Sequence, residues 1–328
     1  MIFRRNRMGI AGLVIIGFWM LMAVMPSLFF ATGFWNRAVY DPVTGLETDP
    51  PTRTVIMVER VTDPRTEIDR RAVLMDGRIP SDLGLGDTFE LPLQPAPPNS
   101  RHWLGTDPLG RDVLSQLMHG ARSSFFLGIL AATVTVVIAT LVGSVAAYYG
   151  GVIDSLLMRL ADLLIMIPGL ALLIVIGSVV TFQLWHLAMV IGILSGFGGT
   201  AVVLKSQALA VKVKPFVDAA RVAGGTGRHI VLYHLIPSVM PLSVLYMMFT
   251  VTAAIQSEAV LSFLGLLNVD TSWGLMIQLA HTQGYLLQAG EFWWLVFPAG
   301  LAVTLLAMAF FLLGRGLDEV INPRLRRR

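Results

Sequence analysis

Residues 205–237 read KSQALAVKVKPFVDAARVAGGTGRHIVLYHLIP, a long polar and basic interruption in an otherwise apolar C-terminal half. All three lysines of the chain, Lys205, Lys212 and Lys214, lie in this stretch. Basic residues concentrate in the cytoplasmic loops of membrane proteins. We therefore expect the segment to lie in the cytoplasm between two membrane-spanning helices.

The pattern within this segment predicts two short helices separated by a glycine turn. Pro215 suits the first position of a helix, and residues 216–223 continue it as an amphipathic turn or two. The glycines at 224–225 end this helix, and Thr226 can cap a second one over residues 227–236. The apolar side of the first helix is formed by Phe216, Val217, Ala220 and Ala223. Such a helix–turn–helix outside the membrane would be a protruding binding surface for a soluble partner.

Residues 218–237 resemble the EAA loop of ABC-importer permeases, a Glu-Ala-Ala triplet followed by a glycine and an Ile-x-Leu-Pro ending. The spacing is kept, with Asp for Glu at 218, His for Ile at 234 and Ile for Leu at 236. In that family the loop inserts into a groove of the ATP-hydrolysing subunit and carries its motion to the membrane helices. The resemblance implies this role for Asp218, Ala219, Ala220, Gly224, His234, Ile236 and Pro237. An ordinary amphipathic cytoplasmic loop is the alternative.

The composition is that of an integral membrane protein. Of 328 residues, 55% are hydrophobic and only 14% are charged, whereas a soluble domain carries about a quarter charged residues. The chain has no cysteine, which excludes disulfides, thiolate metal sites and cysteine nucleophiles. The net charge of +3 does not argue for a nucleic-acid partner. We recognise no nucleotide-binding loop, no nucleophile–base set and no metal cluster, so we predict no catalytic site, cofactor or metal.

The apolar runs predict an all-α protein with six membrane-spanning helices, since a span needs ~20 apolar residues. We expect the spans at residues 9–31, 123–149, 155–180, 187–204, 238–263 and 292–314. Arginines at both chain ends then share one side with the lysine-rich segment. This arrangement predicts a multi-pass protein of the plasma or inner membrane with both termini cytoplasmic. A cleaved signal peptide, the alternative for the first run, would have a shorter apolar core.

Residues 37–102 differ from the rest because they are rich in proline and in mixed charges. We interpret them as an extracytoplasmic insert after the first helix, with short strands at 54–61 and 72–75. A small β-rich subdomain and a partly ordered spacer both remain open. The predicted organisation is an N-terminal span, an insert with an amphipathic segment, and a five-helix core carrying the loop 205–237 and a basic tail; the divisions are 1–36, 37–122 and 123–328.

Two further stretches resemble the C-type permease of dipeptide, oligopeptide and nickel importers. They are LGTDPLGRDV at 104–113, followed by Gly-Ala-Arg at 120–122, and EAVLSFLGL at 258–266, followed by Ser-Trp-Gly at 272–274. The chain departs from the family at Leu267, which replaces a glycine, and in a shorter linker without proline. The resemblance implies a type I ABC-importer permease fold and import of peptides or peptide-like solutes by alternating access.

The same resemblance implies the partners. They are a second, B-type permease, one or two ATP-binding cassette subunits that hydrolyse ATP, an extracytoplasmic solute-binding protein and membrane lipid. A scaffold protein whose working part is the insert is a further hypothesis.

The first of these stretches also has a reading from its residues alone. Asp107-Pro108 with Gly110 predicts a turn, Arg111 and Asp112 can pair locally, and residues 113–118 predict an amphipathic helix on the outer membrane face. A metal site formed by His102, Asp107 and Asp112 is possible, although their spacing matches no known ligand set. We therefore prefer a turn followed by a surface helix.

Charged residues within the apolar runs are the remaining candidates, because such residues often mark function. Glu258, with Ser262 and Phe263, could line a translocation path or an outer gate, or Glu258 could bond a polar partner across the bundle. Arg159 and Asp162 are three residues apart, which favours a structural ion pair at the membrane interface. A stand-alone secondary transporter or channel with these charges in an ion path is the alternative function. No repeat between the two halves supports it.

Overall fold

The structure is a computed structural model that describes residues 6–45, 53–57, 88–92 and 95–321. Helices dominate these residues, as the sequence predicts. The first part of the chain forms α1 (Arg7–Ala31), α2 (Arg37–Tyr40), β1 (Arg53–Met57), β2 (Thr88–Pro92) and α3 (Val113–Tyr149). The middle forms α4 (Gly151–Met166), α5 (Gly169–Val179), α6 (Leu184–Phe197), α7 (Gly199–Lys212), α8 (Pro215–Val222) and α9 (Gly227–Ile230). A π-helical turn (Val231–Leu235), α10 (Ile236–Phe263), α11 (Trp273–Thr282), a 3₁₀ turn (Tyr285–Gln288) and α12 (Trp293–Ile321) complete it.

Four helical runs among the described residues are long and apolar enough to cross a membrane: α1, α3, the run from Gly227 to Phe263, and α12. Two bent pairs, α4 with α5 and α6 with α7, bring the number to six when each pair counts as one span. The predicted count of six therefore corresponds to four unbroken spans and two broken ones.

Both breaks fall at residues that interrupt helices, a proline and a glycine. The axes of α4 and α5 differ by 79° at Ile167 and Pro168, and those of α6 and α7 by 42° at Gly198. Ile167 is extended, with φ −88° and ψ 123°, because a residue before proline avoids the helical region. Proline also lacks the N–H that would continue the helix.

The chain divides into two compact units. One comprises residues 1–20, 123–269 and 303–328, and the other comprises 21–122 and 270–302. In the second unit β1 and β2 pair antiparallel, with Arg53 opposite Pro92 and Met57 opposite Thr88. The predicted strand at 54–61 is confirmed for residues 54–57, whereas its remainder and the strand at 72–75 lie outside the described residues.

Small residues let the helices of the first unit pack closely. A Cβ added at Gly192 on α6 would lie 2.6 Å from Val134 Cβ on α3, and the Thr135 hydroxyl donates to the Gly192 carbonyl at 3.3 Å. One added at Gly143 on α3 would lie 2.7 Å from the backbone nitrogen of Lys205 on α7. Small residues on these helix faces permit the backbones to approach closely in the membrane.

The first and last spans also pack on each other. A Cβ at Gly12 would lie 2.6 Å from the Ala309 carbonyl oxygen, and one at Gly316 would lie 2.6 Å from Gly9 Cα. The Asn6 side-chain amide donates to Glu319 at 2.7 Å. The two ends of the described bundle therefore lie on the same side, which fits an even number of crossings.

Several predicted helix bounds are wrong, including those of the fourth span, which was expected at 187–204 and runs from Leu184 to Lys212. Residues 113–118, expected as a separate surface helix, are the first turns of α3, because no proline separates them from the apolar run that follows. The last span, expected to end at residue 314, continues to Ile321. Its end carries a weak i,i+3 contact of 3.8 Å between Arg315 and Asp318.

Candidate coupling site

The segment 205–237 contains the two short helices that the sequence predicts. Lys214 is extended and Pro215 occupies the first turn of α8. Gly224 has a φ of +86°, its N–H donates to the Arg221 carbonyl at 3.1 Å, and the Gly225 N–H donates to the Ala220 carbonyl at 3.0 Å. This pair of bonds is a Schellman motif, in which a left-handed residue after the helix satisfies its last carbonyls. Gly224 therefore sets the angle between α8 and the next helix.

The second helix departs from the expected regular run over 227–236. The Thr226 hydroxyl accepts from the His229 N–H at 3.3 Å and so caps α9. After one α turn the backbone widens into the π turn, and the Ile236 N–H donates to the Val231 carbonyl five residues earlier. Pro237 has no N–H, and its ring would collide with the carbonyl four residues before it in an α-helix. The wider turn relieves that collision and leads into α10.

One side of this segment is anchored to the membrane helices. Val217 on α8, Ile230 and Leu235 are fully buried among small and branched side chains of α3, α7 and α10. These neighbours are Ala147, Ala208, Val211 and Val239. α8 therefore meets the membrane helices through a close-packed cluster.

Several apolar side chains of this segment are exposed on the surface of the protein. Val222 is 90% exposed, Tyr233 is 68% exposed and Phe216 is 44% exposed. Of the four residues predicted to form the apolar side of this helix, Val217 is buried, Ala220 is partly buried, and Phe216 and Ala223 are exposed. The helix has only eight residues and meets the membrane helices along a narrow strip.

The remaining residues of the family pattern lie on or near the exposed side. Asp218 and Ala219 are exposed, and Asp218 pairs with Arg221 at 3.0 Å. Gly224 and Pro237 are exposed, whereas Ala220, His234 and Ile236 are partly buried. The structure therefore brings the predicted coupling residues together in one helix–turn–helix.

Two lysines have structural roles that sequence reasoning missed. The Lys212 ammonium donates to the carbonyls of Ala147 at 2.9 Å and Tyr148 at 2.8 Å, in the last turn of α3. A cation there satisfies carbonyls that lack helical partners and favours the negative helix end. Lys205 pairs with Asp154 on α4 at 2.5 Å. Both contacts tie the segment 205–237, which we call the coupling segment, to neighbouring spans. Their residues are too far apart in sequence to show a pattern.

The turn at 104–113 is held together by two aspartates. Asp107 accepts from the backbone N–H groups of Leu109 and Arg111, both at 2.9 Å, and pairs with the Arg111 guanidinium at 2.7 Å. Asp112 instead bonds His102 Nδ1 at 2.7 Å and accepts from the Ser115 N–H as the cap of α3. The expected Arg111–Asp112 pair is therefore wrong. These bonds account for Asp107 and Asp112 as parts of a capped turn.

The two stretches that resemble the C-type permeases meet in the second unit. The Trp273 indole N–H donates to the Leu117 carbonyl at 2.8 Å, and a Cβ at Gly120 would lie 2.6 Å from Trp273 Cδ1. The Trp294 indole donates to the Thr106 carbonyl at 3.2 Å. Nothing in the sequence alone pairs these residues.

The intramembrane charges lie in two different environments. Glu258 is fully buried, and the Ser262 hydroxyl donates to its carboxylate at 2.8 Å from the next turn of α10. Phe263 is partly buried beside them. Arg159 and Asp162 are exposed on α4 and make no ion pair or hydrogen bond with any residue that the structure describes. The predicted pair between them is therefore wrong.

Comparison with known proteins shows what this arrangement belongs to. Residues 139–327 match the family described as "Binding-protein-dependent transport system inner membrane component". The chain is a member of that family. The match includes the coupling segment, Arg159 and Glu258.

Named relatives agree with the family assignment. The permease is 36% identical to the dipeptide transport system permease protein DppC of Bacillus subtilis over 71% of its own length and 72% of that protein. It is 33% identical to the oligopeptide transport system permease protein OppC of the same organism, over 70% and 74%. It is 32% identical to OppC of Mycobacterium tuberculosis, over 70% and 78%. These relatives support the permease hypothesis over a stand-alone carrier or channel.

Proposed function

We propose that this permease is the translocation subunit of an ATP-driven importer for peptides or peptide-like solutes. The substrate class follows from the relatives, which are named for dipeptide and oligopeptide transport. The proposed partners are a second permease, one or two ATPase subunits and an extracytoplasmic solute-binding protein. The coupling segment and both termini lie on the cytoplasmic side, and ATP is hydrolysed by the partners.

The observation that supports this function best is that one side of the coupling segment is buried against the membrane helices while the other is exposed. One side packs against the membrane helices through the buried residues Val217, Ile230 and Leu235. The other side is exposed and can contact a partner through Phe216, Val222 and Tyr233. Exposed apolar side chains beside charged ones are typical of protein interaction sites. A groove on the ATPase fits such a projection, and closure of the ATPase pair would move it.

Motion received by the segment can pass to three spans. Val217 transfers it to α7 and α3 through the buried cluster, and the Lys212 bonds add a second link to the end of α3. The run from Gly227 to Phe263 is continuous with α10. We propose that these helices then open the path outward, so that substrate enters from the binding protein.

The test is peptide uptake and copurification with Gly224→Val. A β-branched residue is strained at a φ of +86°, so the angle between α8 and α9 should change. We expect normal membrane insertion, loss of peptide uptake and loss of the ATPase from complexes purified in mild detergent. Gly33→Val is the matched control, because Gly33 has a φ of +72° and open space around it, outside the segment. Normal uptake by Gly224→Val would remove the segment from the mechanism.

A further inference from the structure

Helix α4 packs against its own compact unit along one narrow stripe. The residues of α4 that are buried or partly buried are Asp154, Leu157, Met158, Ala161 and Leu164. Residues three or four apart share one face of a helix, so this set forms a single line. Leu157 and Met158 pack against a buried cluster that contains Leu204 of α7. Apolar contact therefore holds α4 along this line and nowhere else among the described residues.

One ion pair lies at the beginning of this stripe. Across residues 6–45, 53–57, 88–92 and 95–321, the only side-chain hydrogen bond or ion pair that α4 makes joins Asp154 to Lys205 on α7, at 2.5 Å. The two side chains are only 28% and 19% exposed. An intact pair in a shielded place adds little net stability, but a charge left there without its partner is unfavourable. The pair thus favours one position of α4 beside α7.

The turn before α4 does not itself fix the direction of the helix. Gly150 and Gly151 have φ angles of +65° and +57°, and no described atom lies within 4 Å of a Cβ added at either. Glycine has wide conformational freedom, and here no packing restricts it. The angle between α3 and α4 is therefore determined by contacts on the two sides of this turn.

Helix α7 supplies contacts on both sides. Lys212 donates to the carbonyls of Ala147 and Tyr148 before the turn, and Lys205 pairs with Asp154 after it. The two lysines are seven residues apart, about two helical turns, so they lie on the same side of α7. Both belong to the coupling segment, and α7 ends just before α8. The junction of α3 and α4 is therefore bridged by the segment that is proposed to move.

The far end of this broken span reaches the outer part of α10. α4 continues into α5 through the 79° bend. Leu173 on α5 lies in a buried cluster with Ala254 and Leu261 of α10. A Cβ added at Gly177 on α5 would lie 3.3 Å from Leu266 Cβ. A displacement of α4 can therefore reach the neighbourhood of Leu261, three residues from Glu258.

We propose that Asp154 and Lys205 are positioning residues for coupling, because their ion pair makes the span formed by α4 and α5 follow the coupling segment. This inference rests on the proposed function, which supplies the movement. It adds a fourth span to α3, α7 and α10. Without the pair, α4 can turn at Gly150 and Gly151 while α7 moves, and part of the movement is lost.

The first experiment measures transport and ATP hydrolysis together. The complete importer is reconstituted in lipid vesicles with its solute-binding protein and given a labelled mixture of dipeptides and oligopeptides. We expect Asp154→Asn and Lys205→Met to keep the ATPase bound but to lower the peptide imported per ATP hydrolysed by about threefold. A merely structural role would reduce uptake and hydrolysis alike and leave this ratio unchanged.

Two further variants make this test specific. Asp154→Lys combined with Lys205→Asp forms the pair again with reversed sign, so the ratio should recover towards that of the parent. Asp162→Asn removes an equal charge from an exposed position on the same helix and should leave the ratio unchanged. A ratio equal to the parent's in both single variants, or the same loss with Asp162→Asn, would overturn the proposal.

The second experiment measures the position of α4 directly and uses the absence of cysteine from this chain. Leu156→Cys on α4 and Leu209→Cys on α7, 69% and 43% exposed, receive nitroxide labels in the complete importer. Pulsed electron paramagnetic resonance then gives the distances between the labels. We expect Asp154→Asn to shift or broaden this distribution. An unchanged distribution would contradict a role of the pair in placing α4.

A label pair between α3 and α7 is the control for this measurement. Leu141→Cys, at a position 42% exposed on α3, replaces the label on α4. Its distance to Leu209→Cys should not respond to Asp154→Asn, because the Lys212 bonds between α7 and the end of α3 remain. The cysteine-free parent, treated with the same label, gives the background from partner subunits.

The outcomes separate this inference from the proposed function. An importer that works with an unchanged ratio of peptide to ATP after loss of the pair contradicts this inference alone. A parent chain that binds no ATPase, or imports no peptide with ATP, contradicts the proposed function. The label distances do not depend on ATP or on peptide, so they test the placement of α4 in either case.

Discussion

Trp273 lies directly against Gly120, so that the indole occupies the space where any side chain would project. The indole N–H also donates to the Leu117 carbonyl at 2.8 Å, three residues before that glycine. The Ser-Trp-Gly stretch and the Gly-Ala-Arg stretch are 150 residues apart in sequence, yet the tryptophan of one fills the space left by the glycine of the other. The glycine is needed on α3 because the tryptophan of α11 packs there.

This contact predicts the effect of Gly120→Ala. A Cβ at position 120 would lie 2.6 Å from Trp273 Cδ1, and overpacking of this kind costs about 1–3 kcal/mol. We expect a lower thermal midpoint in detergent, although alanine improves helix propensity by ~1 kcal/mol. Gly17→Ala on α1 is the control, since nothing lies within 4 Å of its added Cβ, and it should be neutral or stabilising. Equal midpoints for the two variants would contradict the packing.

Lys212 and Lys214 should respond differently to the same change. Lys212→Met removes two charge-assisted hydrogen bonds to the end of α3, which contribute about 1.5–3 kcal/mol each when donor or acceptor is charged. We expect lower thermal stability and slower peptide uptake. Lys214→Met alters net charge equally but touches an exposed side chain, so both measurements should stay near those of the parent. A similar loss in the two variants would point to charge alone.

A buried hydrogen bond between two spans gives a third prediction. The hydroxyls of Thr140 on α3 and Ser243 on α10 lie 2.8 Å apart and both side chains are buried. A double-mutant cycle with Thr140→Val and Ser243→Ala should give a coupling of about 0.6 kcal/mol, the usual size for such bonds between membrane helices. Thr140→Val combined with Ser257→Ala should be additive, because Ser257 is exposed and bonds its own helix. Additivity in the first cycle would remove the bond from the bundle's stability.

Glu258 is expected to act on stability more than on substrate binding. Its full burial and its bond from Ser262 favour a structural part in α10. Glu258→Gln keeps the shape and an acceptor, so the apparent KM for peptide uptake should stay within about twofold. Glu258→Ala should lower the thermal midpoint because it leaves a cavity and a hydroxyl without this partner. A large rise in KM for the glutamine variant would instead support the hypothesis that Glu258 lines the translocation path.

Local signals carried most of what the sequence could predict. The turn at Gly224, the cap at Thr226, the break at Pro168 and the spans of ~20 apolar residues each depend on neighbours in the chain, so propensity and spacing reveal them. The small faces around Gly143 and Gly192 are visible for the same reason.

Contacts between distant residues could not be predicted in the same way. Trp273 with Gly120 and Lys212 with the end of α3 involve residues far apart in sequence that carry no shared periodicity. For Arg159 and Asp162 the sequence predicted a contact that the structure lacks, because favourable i,i+3 spacing permits an ion pair but does not require one. The π turn arises from a conflict between Pro237 and helical geometry, which spacing locates without giving its form.

The helical run from Gly227 to Phe263 has a mechanical consequence. It is 37 residues long, about 55 Å at the α-helical rise, and joins the segment 205–237 to the neighbourhood of Glu258 without a hinge loop. Tilt or torque applied at one end can therefore reach the other through helical backbone, with no loop between them to absorb it. Compliance is concentrated where the backbone departs from regular helix, at the π turn and at Pro241. The size and direction of a movement along this helical run can therefore be changed at these two points, without altering the residues at either end of the run.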